Sequence, residues 1–400
     1  MLREAFPCLH QQVNGKDLVY FDNAATAMRP QVVIDAVNDY YCHHNANIHR
    51  GVHCLSGRAT DLYEQARGSL ARLINAPSPD NLIFVRGCTE GVNLVAQTFV
   101  RERLQPGDEI LISHLEHHSN IVPWQLLCQQ TGAKLKVIPM NHNGELVLDQ
   151  LDSLMTERTK FMSVVHVSNA LGTINPVKEL VAKAHAKDIP VMIDGAQATP
   201  HLKVDVQDIG CDFYTVSGHK MYGPTGSGVL YGKATHLETM PPYHGGGEMI
   251  SKVTFEETVY NKVPAKFEAG TPNIAGGIGL GAAAEFIMEV GIENIRQQEA
   301  RLKAYAEQAL NNVEGLRILG QADNKSPVFS FLIDGIHPHD IGTIIDHHGV
   351  AIRTGHHCTM PIFQFFDVPG SCRASLAFYN TEQEVDILVE SLNQAKAMFA

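Results

Sequence analysis

The sequence predicts an α/β fold, a mostly parallel sheet covered on both faces by helices, and two observations predict it. From about residue 80, short apolar runs alternate with segments of helical spacing, the signature of strands buried on both faces of a sheet. After a long helical stretch over residues 278–313 the pattern changes to two strand-like runs and a final helix, which predicts a second, smaller C-terminal domain. At 400 residues the chain has room for two or three domains.

In chain order, Leu82-Ile83-Phe84-Val85 reads as the first buried strand, and helical spacing follows from Thr89 to Val100. Glu109 to Ile112 is the next strand and Ile121 to Gln130 the next helix. Strands follow at Leu135–Ile138 and Phe161–Val165, then a helix over Val177 to Ala186. Val191–Ile193, Phe213–Val216 and Gly228–Tyr231 close the series. The helical stretch 278–313 carries one expected break near Gly291. Beyond it, Val328–Ile333 and Val350–Arg353 read as strands and Thr381–Phe399 as a helix, with Thr381 and Glu384 in capping-box spacing.

Bulk properties exclude several classes. The formal charge is -12 and no basic stripe interrupts it, so sequence-independent nucleic-acid binding is not expected. Met1 to Pro7 contains no apolar signal-peptide core, and no apolar run is long enough to span a bilayer. Eight scattered cysteines, without a C-x-x-C pair, fit a reducing cytoplasm. Cys8, Cys42, Cys128 and Cys211 read as small buried hydrophobes.

Chemistry concentrates around Lys220. It lies in Ser217-Gly218-His219-Lys220, 26 residues after Asp194, which ends the apolar run Val191-Met192-Ile193. A lysine amine can form an imine with the aldehyde of pyridoxal phosphate, while an acid keeps the pyridine nitrogen protonated. A phosphate site is expected at Arg86-Gly87-Cys88-Thr89-Glu90-Gly91, where a strand turns into a helix. The bland alternative there is a simple turn with Thr89 as N-cap. Two other glycine-rich runs, Gly276 to Gly281 and Gly223 to Gly228, match neither a dinucleotide fingerprint nor a P-loop. They are expected to be turns or close helix packing.

Twenty-one histidines, several clustered as in His114-Leu115-Glu116-His117-His118, raise a metal-binding alternative. The clusters lack H-E-x-x-H and any repeated ligand spacing, so no metal site is expected. His117, after a strand end, suits stacking on a planar ring and proton exchange near pH 7. The run Arg353-Thr354-Gly355-His356-His357-Cys358 puts a thiol beside groups expected to be cationic, the conditions for a reactive cysteine. Arg353 and Arg373 can each fork onto a substrate carboxylate, or form ordinary ion pairs.

Taken together, these segments resemble the class V pyridoxal-phosphate enzymes, specifically the type II cysteine desulfurases of the SufS/CsdA kind, which also act as selenocysteine lyases. The similarity runs from Tyr20-Phe21-Asp22-Asn23-Ala24-Ala25 to Arg373-Ala374-Ser375-Leu376-Ala377-Phe378-Tyr379-Asn380. Its most specific parts are the runs from Ser217 to Gly226, Phe267-Glu268-Ala269-Gly270-Thr271-Pro272-Asn273, and Arg353 to Cys358. The resemblance implies the fold type I of pyridoxal-phosphate transferases. Its large domain, residues 21–277, has a mostly parallel seven-stranded sheet flanked by helices. A smaller α+β C-terminal domain, residues 278–400, carries the cysteine loop, and residues 1–20 pack against the small domain.

By the same resemblance, Lys220 carries the cofactor and removes the substrate Cα proton, Cys358 is the nucleophile, and His117 stacks on the ring and moves protons. Asp194 pairs with the pyridine nitrogen and Gln197 with the phenolic oxygen. Thr89, the Cys88 N–H, Ser217 and His219 hold the phosphate, with Thr271 from the second protomer of a homodimer. Asn169 and Arg373 bind the substrate carboxylate, Arg353 lies near Cys358, and His49 and Arg50 lie near the site. The implied reaction converts L-cysteine to L-alanine and a persulfide, with L-selenocysteine as a second substrate. The sulfur passes to a SufE-type acceptor for iron–sulfur or other sulfur-cofactor assembly. Cys88 departs from the family, where a second threonine is common. The short Cys358 loop implies that the acceptor must come to it. A different reaction on the same fold, aminotransfer or β-elimination, is the nearest alternative.

Overall fold

The computed structural model describes residues 2–399; Met1 and Ala400, the outer limits expected for the terminal segments, lie outside the described residues. All seven expected strands form, as β1 Leu82–Val85, β2 Glu109–Ser113, β3 Lys134–Ile138, β4 Thr159–Val165, β5 Val191–Asp194, β6 Phe213–Ser217 and β7 Gly228–Gly232. They join one sheet in the order β1-β7-β6-β5-β4-β2-β3. Only β7 runs antiparallel to its neighbours; the ladders from β6 to β3 are parallel. Every residue of β2, β5, β6 and β7 is buried, which explains why these strands read as continuous apolar runs rather than alternating ones.

Sequence patterning missed the helices before β1. Gln31–Asp39 (α1) and Cys54–Leu73 (α2) pack against Ile274–Val290 (α4 below). Cys88–Val95 (α3) follows β1 and passes into a widened π turn, Ala96–Val100, so the helix expected from Thr89 begins one residue earlier. The helical stretch expected from residue 278 begins at Ile274 and breaks at Gly291, giving α4 Ile274–Val290 and α5 Ile292–Asn311. The run Gly276 to Gly281 lies inside α4. A Cβ at Gly281 would lie 2.4 Å from Ala66 Cβ, and one at Gly277 would lie 2.6 Å from the Tyr63 ring, so these glycines let α2 and α4 touch.

The smaller sheet contains β8 Leu316–Leu319, β9 Val328–Ile333, β10 Arg353–Gly355 and β11 Ser371–Ser375, in the order β8-β9-β11-β10. The strand expected at Val350–Arg353 is in fact two pieces. Val350–Ala351 pairs in parallel with Val19–Tyr20, while Arg353 starts β10. These two pieces form a separate two-stranded sheet, and the N-terminal segment reaches the smaller sheet through a bridge between Asp22 and Ser375 at the end of β11. Helix Glu382–Ala397 closes the chain, with the reciprocal Thr381–Glu384 capping box formed. No single helix among the described residues is long and apolar enough to cross a membrane. Two of the four cysteines expected to be buried, Cys8 and Cys42, are exposed; Cys128 and Cys211 are buried.

Candidate active site

The carboxyl ends of parallel strands are where open α/β sheets place ligands, and the site lies there. Asp194 ends β5, Ser217 ends β6, and a single helical turn, Gly218–Lys220, carries Lys220 just beyond. A cavity of about 210 Å³ is lined by Lys220, Asp194, His117 and Cys358, by Cys88, Thr89, Ser217 and His219, and by Asn169, Arg353 and Arg373. Eleven expected residues, more than 250 positions apart at the extremes, thus face one space.

Gln197 sits just behind: it is buried, and its Nε2 donates to the carbonyl of Ala24, a wall residue, at 2.6 Å. Three expected residues stay outside. His49 is held by Glu64 at 3.0 Å, a hydrogen bond that raises its pKa. Arg50 pairs with Glu248 at 3.2 Å. Thr271 is exposed and does not line the cavity of its own protomer.

The phosphate end is built from β1, α3 and β6. Gly87 at the α3 N-terminus has φ 146° and offers no side-chain cap. A Cβ there would sit 3.2 Å from Ser217 Oγ, so glycine is required both by conformation and by close approach. The Cys88 N–H, expected to be free for phosphate, already donates to Ser217 Oγ at 2.9 Å. The donors left at this helix end include the Thr89 N–H and the Thr89 and Ser217 hydroxyls. Burial pushes the Cys88 thiol pKa far up, so it stays protonated and inert.

Electrostatics follows from burial. Desolvation lowers the Lys220 pKa from the ordinary lysine value, while the Asp194 carboxylate works against that fall. Burial, reinforced by Lys220, His118, Arg353 and Arg373, pulls His117 down to about 3. The expected titration of His117 near pH 7 is therefore not found: the ring is neutral. Its Nδ1 accepts the Ser119 N–H at 3.0 Å, which leaves the proton on Nε2. Burial likewise holds His219 at about 4 and His357 at about 2.

Around the thiol, one expectation changes. His357, expected as a cation, is buried and neutral, with Nε2 2.9 Å from Ser371 Oγ. The cation in contact with the sulfur is Arg353, whose Nη2 lies 3.9 Å from Cys358 Sγ. His357 and Cys358 have φ of 50° and 59°, left-handed values that non-glycine residues adopt only when held there. What holds them is the large domain: the His118 N–H donates to the Cys358 carbonyl at 2.8 Å, and Asn169 Nδ2 to the His357 carbonyl at 2.7 Å.

The family profile described as aminotransferase class-V matches residues 19–388. A cysteine desulfurase of Cronobacter sakazakii is 50% identical over 392 residues, covering 98% of this chain and 96% of that protein. The chain belongs to the class-V aminotransferases, in the cysteine desulfurase family. A probable cysteine desulfurase of Xylella fastidiosa is 48% identical over 397 residues, covering 99% of this chain and 95% of that protein. The crystal structure of the Escherichia coli cysteine desulfurase CsdA, as its S-sulfonic acid, superposes with a TM-score of 0.92 at 40% identity, covering 99% of this chain and 98% of that one.

For a desulfurase of this family the cavity is chemically apt for pyridoxal phosphate. An uncapped helix end with hydroxyl donors faces a lysine of lowered pKa and a buried acid. Three buried polar atoms among the lining residues have no protein partner: Asn169 Oδ1, His357 Nδ1 and Arg373 Nε. Such orphans are costly unless a ligand or water uses them. Two site residues escaped sequence reasoning. Ser119 fixes the His117 tautomer, and its spacing two residues on is a readable turn signal. Asp22, inside a recognised run but assigned no chemistry, contacts Arg373 at 2.8 Å.

Proposed function

We propose that Lys220 and Cys358 work as base and nucleophile in removing sulfur from L-cysteine, leaving L-alanine and a persulfide on Cys358. The observation that carries this reading is the convergence of an acid-flanked lysine, two arginines and a thiol on one small cavity. The cofactor is pyridoxal phosphate, which when bound supplies an electron sink for the amino acid Cα.

Lys220 would hold the cofactor aldehyde, and its burial favours the neutral amine that a base for the Cα proton requires. Asp194 would face the ring nitrogen, and Gln197 would serve the phenolic oxygen. Thr89, Ser217 and His219 would hold the phosphate. His117 presents a neutral ring face and an Nε2–H near the reacting groups. Arg373 and Asn169 receive the substrate carboxylate. Cys358, as thiolate, attacks the substrate sulfur; the carbon–sulfur bond breaks, a sulfur–sulfur bond forms, and protonation of the carbon gives alanine. Arg353 holds the attacking sulfur.

The pinned Cys358 loop supports delivery to a visiting acceptor of the SufE type, for iron–sulfur or other sulfur-cofactor assembly, because this thiol has no slack with which to travel. An exposed Thr271, outside its own cavity, supports a homodimer in which it completes the phosphate site of the second protomer, with His49 and Arg50 near that junction. The same reading includes L-selenocysteine as substrate and a cytoplasmic setting, where eight free thiols are stable. It divides the chain into a cofactor-binding unit and a small domain that carries Cys358, with the boundary moved from residue 278 to the break at Gly291.

The test is product identity. L-cysteine with reductant is expected to yield alanine and sulfide in equal amounts, faster when an acceptor protein is added. Pyruvate as the carbon product would mark β-elimination, and a thiol-bearing keto acid aminotransfer; either sinks the reading.

A further inference from the structure

Arg353 and Arg373 are cross-strand partners in β10 and β11, so their side chains share one face of the sheet. Like charges placed directly opposite repel, and Arg373 is only 1% exposed, so water does little to screen it. One carboxylate meets this charge. Asp22 Oδ1 accepts from Arg373 Nη2 at 2.8 Å; burial raises the pKa of this carboxylate, and the charges of Arg373 and, to a smaller degree, Arg353 work against that rise. On the other side, Arg373 Nη1 donates to the Asn169 carbonyl at 3.0 Å. Two of the five guanidinium N–H donors are thus committed to protein, and the buried Nε has no partner.

We propose that Asp22 is a positioning residue for substrate: by clamping Nη2 of Arg373 it fixes the plane of the guanidinium, and with it the direction of the N–H donors left for the carboxylate of the amino acid. Asp22 is itself well anchored. It follows the strand Val19–Tyr20, forms a bridge to Ser375 at the end of β11, and its carbonyl accepts the N–H groups of Ala25 and Thr26. A planar fork held at two nitrogens cannot rotate about its last bonds, so its remaining N–H donors are presented in one direction. Without Asp22 the guanidinium would be fixed at one nitrogen and would turn toward whichever acceptor is nearest. The inference rests on the reading above that Arg373 receives the substrate carboxylate.

The experiment uses holoenzyme and two ligands: L-alanine, which has the carboxylate, and cysteamine, an amine without it, each titrated by the change in cofactor absorbance. Asp22→Ala is expected to weaken L-alanine roughly tenfold and leave cysteamine within about twofold. Asp22→Asn, which keeps an acceptor oxygen in place, is expected to restore most of the loss. In turnover, KM for L-cysteine should rise with kcat nearly unchanged. Equal weakening of both ligands by Asp22→Ala, or no weakening of either, overturns the proposal. Arg373→Ala separates the two levels: if it spares L-alanine binding, the carboxylate assignment itself is wrong, whereas loss there with no effect of Asp22→Ala removes the positioning role alone.

Discussion

Arg353 Nη2 lies 3.9 Å from Cys358 Sγ, and the two residues stand at opposite ends of a short turn whose far end is bonded to the large domain through His118. The sulfur is therefore located by one contact from its own strand and one from the other domain. This thiol is a fixed station within the cavity. Cys358→Ala should accordingly leave cofactor absorbance unchanged and reduce alanine formation from L-cysteine by roughly a hundredfold or more. Alanine produced at the parent rate by that variant would assign the nucleophile elsewhere. Selenocysteine turnover should fall less, because selenium is the better leaving group.

Lys220→Ala separates binding from chemistry at the other wall. The phosphate donors at Thr89 and Ser217 and the acid Asp194 remain, so cofactor should still bind, but more weakly. The near-visible band of the lysine-linked form should disappear and turnover should fall below detection. Retention of that band, read by absorbance after gel filtration, would place the linkage on another amine.

The segment Phe267–Asn273 was legible as a family motif before its physics was. Glu268 grips Arg67, a residue that sequence reasoning did not single out: Oε1 and Oε2 accept from Nη1 and Nη2 at 2.6 and 2.9 Å, and Oε1 also accepts the Phe84 N–H at 2.8 Å. Arg67 is 1% exposed, and its guanidinium packs 4.6 Å from the Phe84 ring. Glu268→Ala leaves that cation with Glu64 as its one carboxylate beside the Leu82 carbonyl and should cost about 3 kcal/mol, read as a lowered denaturant midpoint at unchanged m-value. A loss under about 0.5 kcal/mol would show that Glu64 compensates fully.

The contrast shows what sequence carries. Strands β1 to β7 were visible because burial on both faces makes each an unbroken apolar run, and Asp194, Ser217 and Lys220 were visible because they terminate such runs. Helices α1 and α2 were not, since their apolar positions are interspersed with residues such as Arg67 whose burial depends on a partner about 200 positions away. For the same reason Asp22 was invisible: its meaning comes from Arg373, 351 residues later. His117 was placed correctly in the cavity, yet its charge was misjudged, because a pKa is set by neighbours that only folding assembles. His49, Arg50 and Thr271 lie outside the cavity, where neither strand ends nor apolar runs mark a position.

Buried neutral histidines make stability depend on pH in a definite direction. His166, 8% exposed, is held by burial at a pKa of about 4 against an ordinary 6.5. Its Nδ1 lies 3.0 Å from the Tyr214 hydroxyl, which suits a neutral ring. Above about pH 6.5 the ring is uncharged in both folded and unfolded chains and contributes no slope. Between about 6.5 and 4 only the unfolded chain takes up the proton, so stability falls as pH falls, by about 3 kcal/mol across the window for this residue. His117 and His357, held at about 3 and about 2, extend the same trend to lower pH. His166→Gln removes one such proton, so the plot of unfolding free energy against pH between about 4.5 and 6.5 should lose up to about 1.4 kcal/mol per pH unit of slope. Parallel curves for the two proteins would mean that His166 is already protonated in the folded state.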